Sequence, residues 1–308
     1  MRVRWAVLVG VVTLALAACG GGSGGGSAGD GGRLAVVATT TQLADFARVI
    51  GGERVAVTGI LKANVDAHDF EPSPADVDAI ARARVLLENG VGLEKWLDDT
   101  IRASGFDGQR VDTSAGVTLL AGEGAEAGAK DPHIWQSAAN AKLMVATIER
   151  ALAATDPDGA ATYKANLERY SAELDRLDAD ISRQVGTLTT RKLVTNHDAF
   201  NYYAKRYGLE IVGAIIPSFD TSAELSAKEI NQLVARIKAT GTTAVFSEAS
   251  LPPQTAQTVA AEAGVKVVSG AGALYGDSLG PDGSDAATYL GMMRHNTKAI
   301  VDNLRGQA

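Results

Sequence analysis

Thr195-Asn-His-Asp-Ala-Phe-Asn-Tyr-Tyr-Ala-Lys-Arg-Tyr207 follows a long charged helical pattern and the short apolar run Leu193-Val194. The apolar run reads as a buried strand giving way to a helix, with His197 at the changeover. Asp198 then stands where an acidic group suits the positive end of a helix dipole. Open α/β sheets place their ligands in loops at the ends of buried strands. His197 is therefore a candidate ligand-binding residue, and its position raises the same question for His68, His133 and His295.

Working outward, Ile211 to Ile216, Thr243 to Ser247 and Val265 to Val268 read as further strands. Ser226 to Lys238, Pro253 to Ala263 and Ala286 to Leu304 read as helices between and after them. Towards the N-terminus, Pro157 opens a long helix. Tyr163, Leu167, Tyr170, Leu174, Leu177, Ile181 and Val185 recur along it at intervals of three or four, one apolar stripe with charges opposite. Before it, Leu34 to Ala38, Val55 to Thr58 and Val85 to Leu87 read as strands. Gln42 to Ile50, Pro74 to Ile80, Leu93 to Ile101 and Ala138 to Ala154 read as helices, and 121–130, rich in Gly and Ala, as a mobile loop. This alternation predicts an α/β fold of mainly parallel sheets flanked by helices. Its plan is two similar lobes, 33–154 and 188–308, with the helix 155–187 between them. The alternative reading of the stripe is a packed amphipathic helix inside a single domain.

The N-terminus reads as an export signal. Arg2 and Arg4 precede an almost entirely apolar Trp5 to Ala18, too short for a comfortable membrane span. Leu16-Ala-Ala-Cys19 resembles a bacterial lipobox. It predicts a signal peptide over 1–18 and a lipid on Cys19, with an ordinary signal peptide and an incidental cysteine as the alternative. Cys19 is the only cysteine, so no intrachain disulfide can form. Residues 19–32 are nearly all Gly and Ser and predict a flexible tether. Gly21-Gly-Ser-Gly-Gly25 matches G-x-S-x-G in letters but lacks the strand-to-helix context of a nucleophile elbow. The net charge is −7, and removal of Arg2 and Arg4 leaves −9. Without basic clusters, this argues against nucleic acid as a partner.

His68 lies in Asn64-Val-Asp-Ala-His-Asp-Phe-Glu-Pro-Ser-Pro-Ala-Asp-Val77, and His133 in Asp131-Pro-His-Ile-Trp135. Both segments read as loops that open helices. Asp277 stands in Ala273-Leu-Tyr-Gly-Asp-Ser-Leu279, after the last apolar strand. Three imidazoles and one carboxylate make a divalent metal site. Affinity should then fall as pH drops through the titration range of histidine. His295 lies within a helical pattern beside Tyr289, Met292 and Met293 and is read as structural.

In these four motifs, and in their order, the chain resembles the zinc- and manganese-binding lipoprotein family of bacterial ABC transporters. The likeness spans about residues 33 to 305. It implies that His68 and His133 from one lobe, with His197 and Asp277 from the other, hold the metal in the interlobe cleft. It also implies that the long helix is rigid and spans both lobes, which limits closure. Asp66, Asp69, Asp131 and Glu248 are candidates to orient the imidazoles, or are turn and cap residues. Histidine at the third ligand position implies Zn2+ over Mn2+, carried as transported cargo. Gly122 to Lys130 lacks the histidines found in the loop of many zinc-specific members. The implied partners are a membrane permease and its cytoplasmic ATPase. The implied protein is a monomer, lipid-anchored at the cell membrane and facing outward.

Rival readings come from other classes. A metal-dependent hydrolase could use the same ligands with Glu248 or Asp69 as base, yet no H-E-x-x-H motif is present. Gly270-Ala-Gly-Ala-Leu-Tyr-Gly276 only approximates a dinucleotide fingerprint, because its third Gly comes one residue late. A surface adhesin shares the exposed lipoprotein design, and sequence does not separate the two.

Overall fold

The computed structural model describes residues 32–122, 126–223 and 226–305. The signal, Cys19 and the tether up to residue 31 lie outside the described residues.

The first half is built on four parallel strands: β1 (Leu34–Ala38), β2 (Val55–Gly59), β3 (Val85–Glu88) and β4 (Gln109–Asp112), in the order β2-β1-β3-β4. Side chains alternate across a strand. Val36, Ala38, Val85 and Leu87 enter the main core with α1 (Thr41–Gly51) and α4 (Ala138–Thr155). Val37 and Leu86 point to the other face, against Ile80 of α2 (Pro74–Arg82) and Leu97 of α3 (Leu97–Ser104). Both faces are covered, which is why these strands read as unbroken apolar runs.

The second half holds two parallel pairs, β5 (Lys192–His197) with β6 (Glu210–Ile216) and β7 (Ala244–Phe246) with β8 (Lys266–Val268). Val194, Ile215 and Val245 pack against α7 (Ala227–Thr240) and α8 (Gln254–Ala263), while Leu193 and Phe246 turn to the main core. α6 (Asn201–Tyr207) and α9 (Tyr289–Leu304) complete the chain. The long helix α5 (Ala160–Gly186) packs on α1 and α4 from the first half and on α6 and α9 from the second. Of the expected stripe, Tyr163, Tyr170, Leu174, Leu177, Ile181 and Val185 are buried, and Leu167 is half-buried against the core.

Some elements depart from the sequence reading. α5 opens at Ala160, because Pro157–Gly159 form a 3₁₀ turn. α3 starts at Leu97, not Leu93. Gly90, Val91 and Gly92 all have positive φ, and the Glu94 carboxylate folds back onto the amides of Asn89 and Gly90, which holds this segment in turns. α6 opens at Asn201, so Asp198 lies before its first turn and accepts a hydrogen bond from the Asn201 side chain at 2.9 Å. β4 was not foreseen, since only Val111 of its four residues is buried. The loop 121–130 is closed at its base, where Ala121 pairs with Lys130.

Candidate metal centre

All strands within each sheet run parallel, so their C-terminal ends share one edge. His68 follows β2, His133 follows β4, His197 is the last residue of β5 and Asp277 follows β8. Local hydrogen bonding fixes each loop. The Asp131 carboxylate accepts from the His133 amide at 2.9 Å, and Asp66 does the same for His68 at 2.9 Å, so both Asp-x-His segments are side-chain-closed turns. Ser73 then caps α2 with a reciprocal bond to Asp76.

One donor atom from each of His68, His133, His197 and Asp277 can be chosen so that all lie within 4.8 Å of one another. His133 Nε2 is 3.3 Å from His68 Nε2 and 3.3 Å from His197 Nε2. Asp277 Oδ1 lies 3.5 Å from His133 Nε2, while Oδ2 lies 3.4 Å from His197 Nε2 and 3.7 Å from His68 Nε2.

The outer faces of two rings set their tautomers. His133 Nδ1 donates to Asp131 Oδ1 at 2.7 Å, and His197 Nδ1 donates to Glu248 Oε1 at 2.9 Å. A carboxylate only accepts, so in the neutral form of each ring the proton sits on Nδ1 and the Nε2 lone pair faces inward. Glu248 Oε1 also accepts from the His197 amide at 3.0 Å. Both Asp277 oxygens are buried without a hydrogen-bond donor. The centre is thus a sealed convergence of lone pairs, which is costly unless a cation fills it.

Electrostatics point the same way. Burial pushes the His68 imidazole down to about 4. At His197 burial pulls downward too, yet Asp277 and Glu248 outweigh it and hold the ring well above the ordinary range. Burial would raise Asp277, but the imidazoles of His197, His68 and His133 hold it below the usual carboxylate range. His68 is thus left neutral with its lone pair free, while the carboxylates draw positive charge to the His197 side of the centre.

Of the candidate orienting residues, Asp131 and Glu248 grip imidazoles, Asp66 grips a ligand's backbone, and Asp69 is exposed. His295 lies apart and bonds the Ala273 carbonyl at 2.9 Å. Sequence reasoning missed Trp135 and Gln136, whose side chains donate to the Gly276 carbonyl at 2.9 and 2.8 Å and position the Asp277 loop. It also missed Gln42, which donates to the Asp277 carbonyl at 3.1 Å, and Phe219, whose ring lies against His133. Trp135 had a signal, an indole two residues from a candidate ligand; Gln42 and Phe219 had none.

A sealed, acceptor-lined centre at the strand ends of parallel sheets, with donors from four distant segments, defines a metal-binding substrate-capture protein. Residues 36–303 match the family described as ZnuA, zinc-uptake complex component A, periplasmic, and the chain belongs to that family. Its members are substrate-binding components of metal transporters, not enzymes. The manganese-binding lipoprotein MntA of Halalkalibacterium halodurans is 34% identical over 305 residues, covering 98% of this chain and 99% of its own. MntA of Bacillus subtilis is 32% identical over 302 residues, covering 95% and 96%. The structure of the periplasmic zinc-binding protein TroA from Treponema pallidum matches with a TM-score of 0.83 at 27% identity, covering 89% of this chain and 100% of that one. Among the described residues, no helix is long and apolar enough to cross a membrane.

Proposed function

We propose that this chain captures a divalent transition-metal cation outside the cytoplasm and hands it to the permease of an ABC transporter driven by a cytoplasmic ATPase. Nε2 of His68, His133 and His197 and the carboxylate of Asp277 hold the cation as cargo. The observation that carries this reading is the buried convergence of those acceptors with both Asp277 oxygens undonated. Cys19 carries the lipid anchor, the protein acts as a monomer, and 33–154 and 188–308 act as two lobes about α5.

Zinc is the first reading of the cargo. Three nitrogens and one oxygen suit its tetrahedral preference, and zinc outcompetes manganese at such donors. Manganese is the second reading, favoured by a specific observation. Both Asp277 oxygens face the imidazoles, so a bidentate carboxylate would supply a fifth donor and a second hard one. The two MntA relatives named above also carry manganese in their names. The test is metal content in cells lacking this gene, complemented by wild type or by His197→Ala and grown under zinc or manganese limitation. Zinc restored by wild type alone supports the first reading, and manganese alone the second. Restoration of neither overturns both.

A further inference from the structure

The candidate centre is closed. The side chains of His133, His197 and Asp277 expose none of their surface, and that of His68 exposes 3%. A cation enters or leaves only if part of the wall moves. α5 carries no Gly or Pro from Ala160 to Val185, so it offers no ready hinge. The moving part must be local.

The wall has two unlike sides. Around Asp277 the joins are buried, through the bonds from Trp135, Gln136 and Gln42 to the carbonyls of Gly276 and Asp277. Breaking such bonds leaves polar groups stranded. The other side is residues 217–222, the loop after β6. Its Phe219 ring sits edge-on to His133, with centroids 6.3 Å apart. Its polar ties to the first half lie nearer the surface, and one of them, from the Phe219 amide to Glu126 Oε1 at 3.3 Å, uses the loop backbone. The Ser218 hydroxyl donates to Glu126 at 2.5 Å, Lys95 pairs with Asp220, and the Thr221 hydroxyl donates to Asp66 Oδ2 at 2.6 Å. The Lys95 side chain is 64% exposed, and exposed ion pairs hold weakly.

Asp66 links this loop to the centre, since its other oxygen accepts the His68 amide at 2.9 Å. His68 is also the least buried of the three imidazoles. Among the described residues, it is the one whose Nδ1 has no carboxylate partner.

We infer that residues 217–222 are the gate of this metal centre, and that His68, coupled to the gate through Asp66, is the ligand that moves with it. The inference rests on the metal-capture reading above. Opening the gate lifts Phe219 from His133 and frees Asp66 from Thr221, which loosens the His68 turn while His133, His197 and Asp277 stay gripped.

The test is stopped-flow zinc loading of the demetallated protein, and zinc removal by excess chelator, for wild type and Lys95→Ala/Thr221→Val. That variant removes two ties and alters no ligand. A gate crossed in both directions predicts that association and dissociation rates rise together, about tenfold, with Kd unchanged. Lys95→Arg should keep wild-type rates. Phe219→Ala, which weakens the same wall from inside, should also raise both. Dissociation alone rising with a weaker Kd would mean a distorted site and overturn the gate, as would unchanged rates in both variants. A wild-type protein that takes up neither zinc nor manganese would remove the metal reading, and the gate with it.

Discussion

Replacing Glu248 by Gln keeps size and shape and removes one charge from behind His197. The carboxylate is 1% exposed, and its Oε1 accepts from both the amide and Nδ1 of His197, at 3.0 and 2.9 Å. An amide oxygen can still accept, so the ring should stay in place. Losing such a partner typically costs 10- to 100-fold in metal affinity, about 1.4–2.7 kcal/mol. The pH dependence should change as well. In the demetallated wild type, burial pulls His197 down, but Asp277 and Glu248 hold it well above the ordinary range. An entering cation therefore competes with a proton on His197, and affinity should rise with pH. Without the Glu248 charge, burial pulls His197 down further and the slope flattens. The gap between wild type and Glu248→Gln should then widen as pH rises from 6 to 8. The assay is competition for zinc against a chromophoric chelator at pH 6, 7 and 8. Equal affinities, or a gap independent of pH, would refute the reasoning.

Gly276→Ala should weaken zinc binding at least tenfold in the same titration, because its Cβ would come within 1.9 Å of Glu248 Oε2 and 3.3 Å of His197 Cε1. Unchanged binding would show that Glu248 can move without consequence. Glu94 tests a different region: burial raises it to about 7, against the hydrogen bonds from Thr39 and the Asn89 amide. An acid raised in the fold stabilises fully below its unfolded value near 4.5 and loses that contribution as pH rises through 7. Glu94→Gln should therefore gain on wild type by on the order of 3 kcal/mol between pH 4.5 and 8 in urea unfolding, and a difference independent of pH would count against it. Cys19→Ser should move the protein from the membrane to the soluble fraction of cells, whereas retention at the membrane would argue against the lipid anchor.

What was legible in the sequence was local. Leu193-Val194 and Val85 to Leu87 are buried on both faces, so apolar runs alone marked them as strands. Asp-x-His turns carry their own hydrogen bonds, so His68 and His133 could be placed in fixed loops without knowing what lay opposite. What was not legible depends on partners far away in the chain. Asp66 and Asp69 flank His68 alike, and only the fold turns one toward Thr221 and leaves the other exposed. Phe219 looks like any loop aromatic until it meets His133. Gln42 reads as a helix residue until its amide reaches Asp277, 235 positions later. β4 has too little apolar content to announce itself, and is a strand because β3 offers it an edge. That both Asp277 oxygens face the imidazoles is likewise a product of the fold and not of the local sequence.

The central claim is that four side chains hold one divalent cation, and the most direct test is a competitive titration of the demetallated protein with zinc and manganese at neutral pH. The same titration is run on His133→Ala and Asp277→Ala, with circular dichroism to confirm that they fold. The proposed function predicts one cation per chain, with zinc bound more tightly than manganese on its first reading, and affinity falling more than 100-fold in either folded variant. Binding of neither metal by wild type, or wild-type affinity in both folded variants, would contradict it.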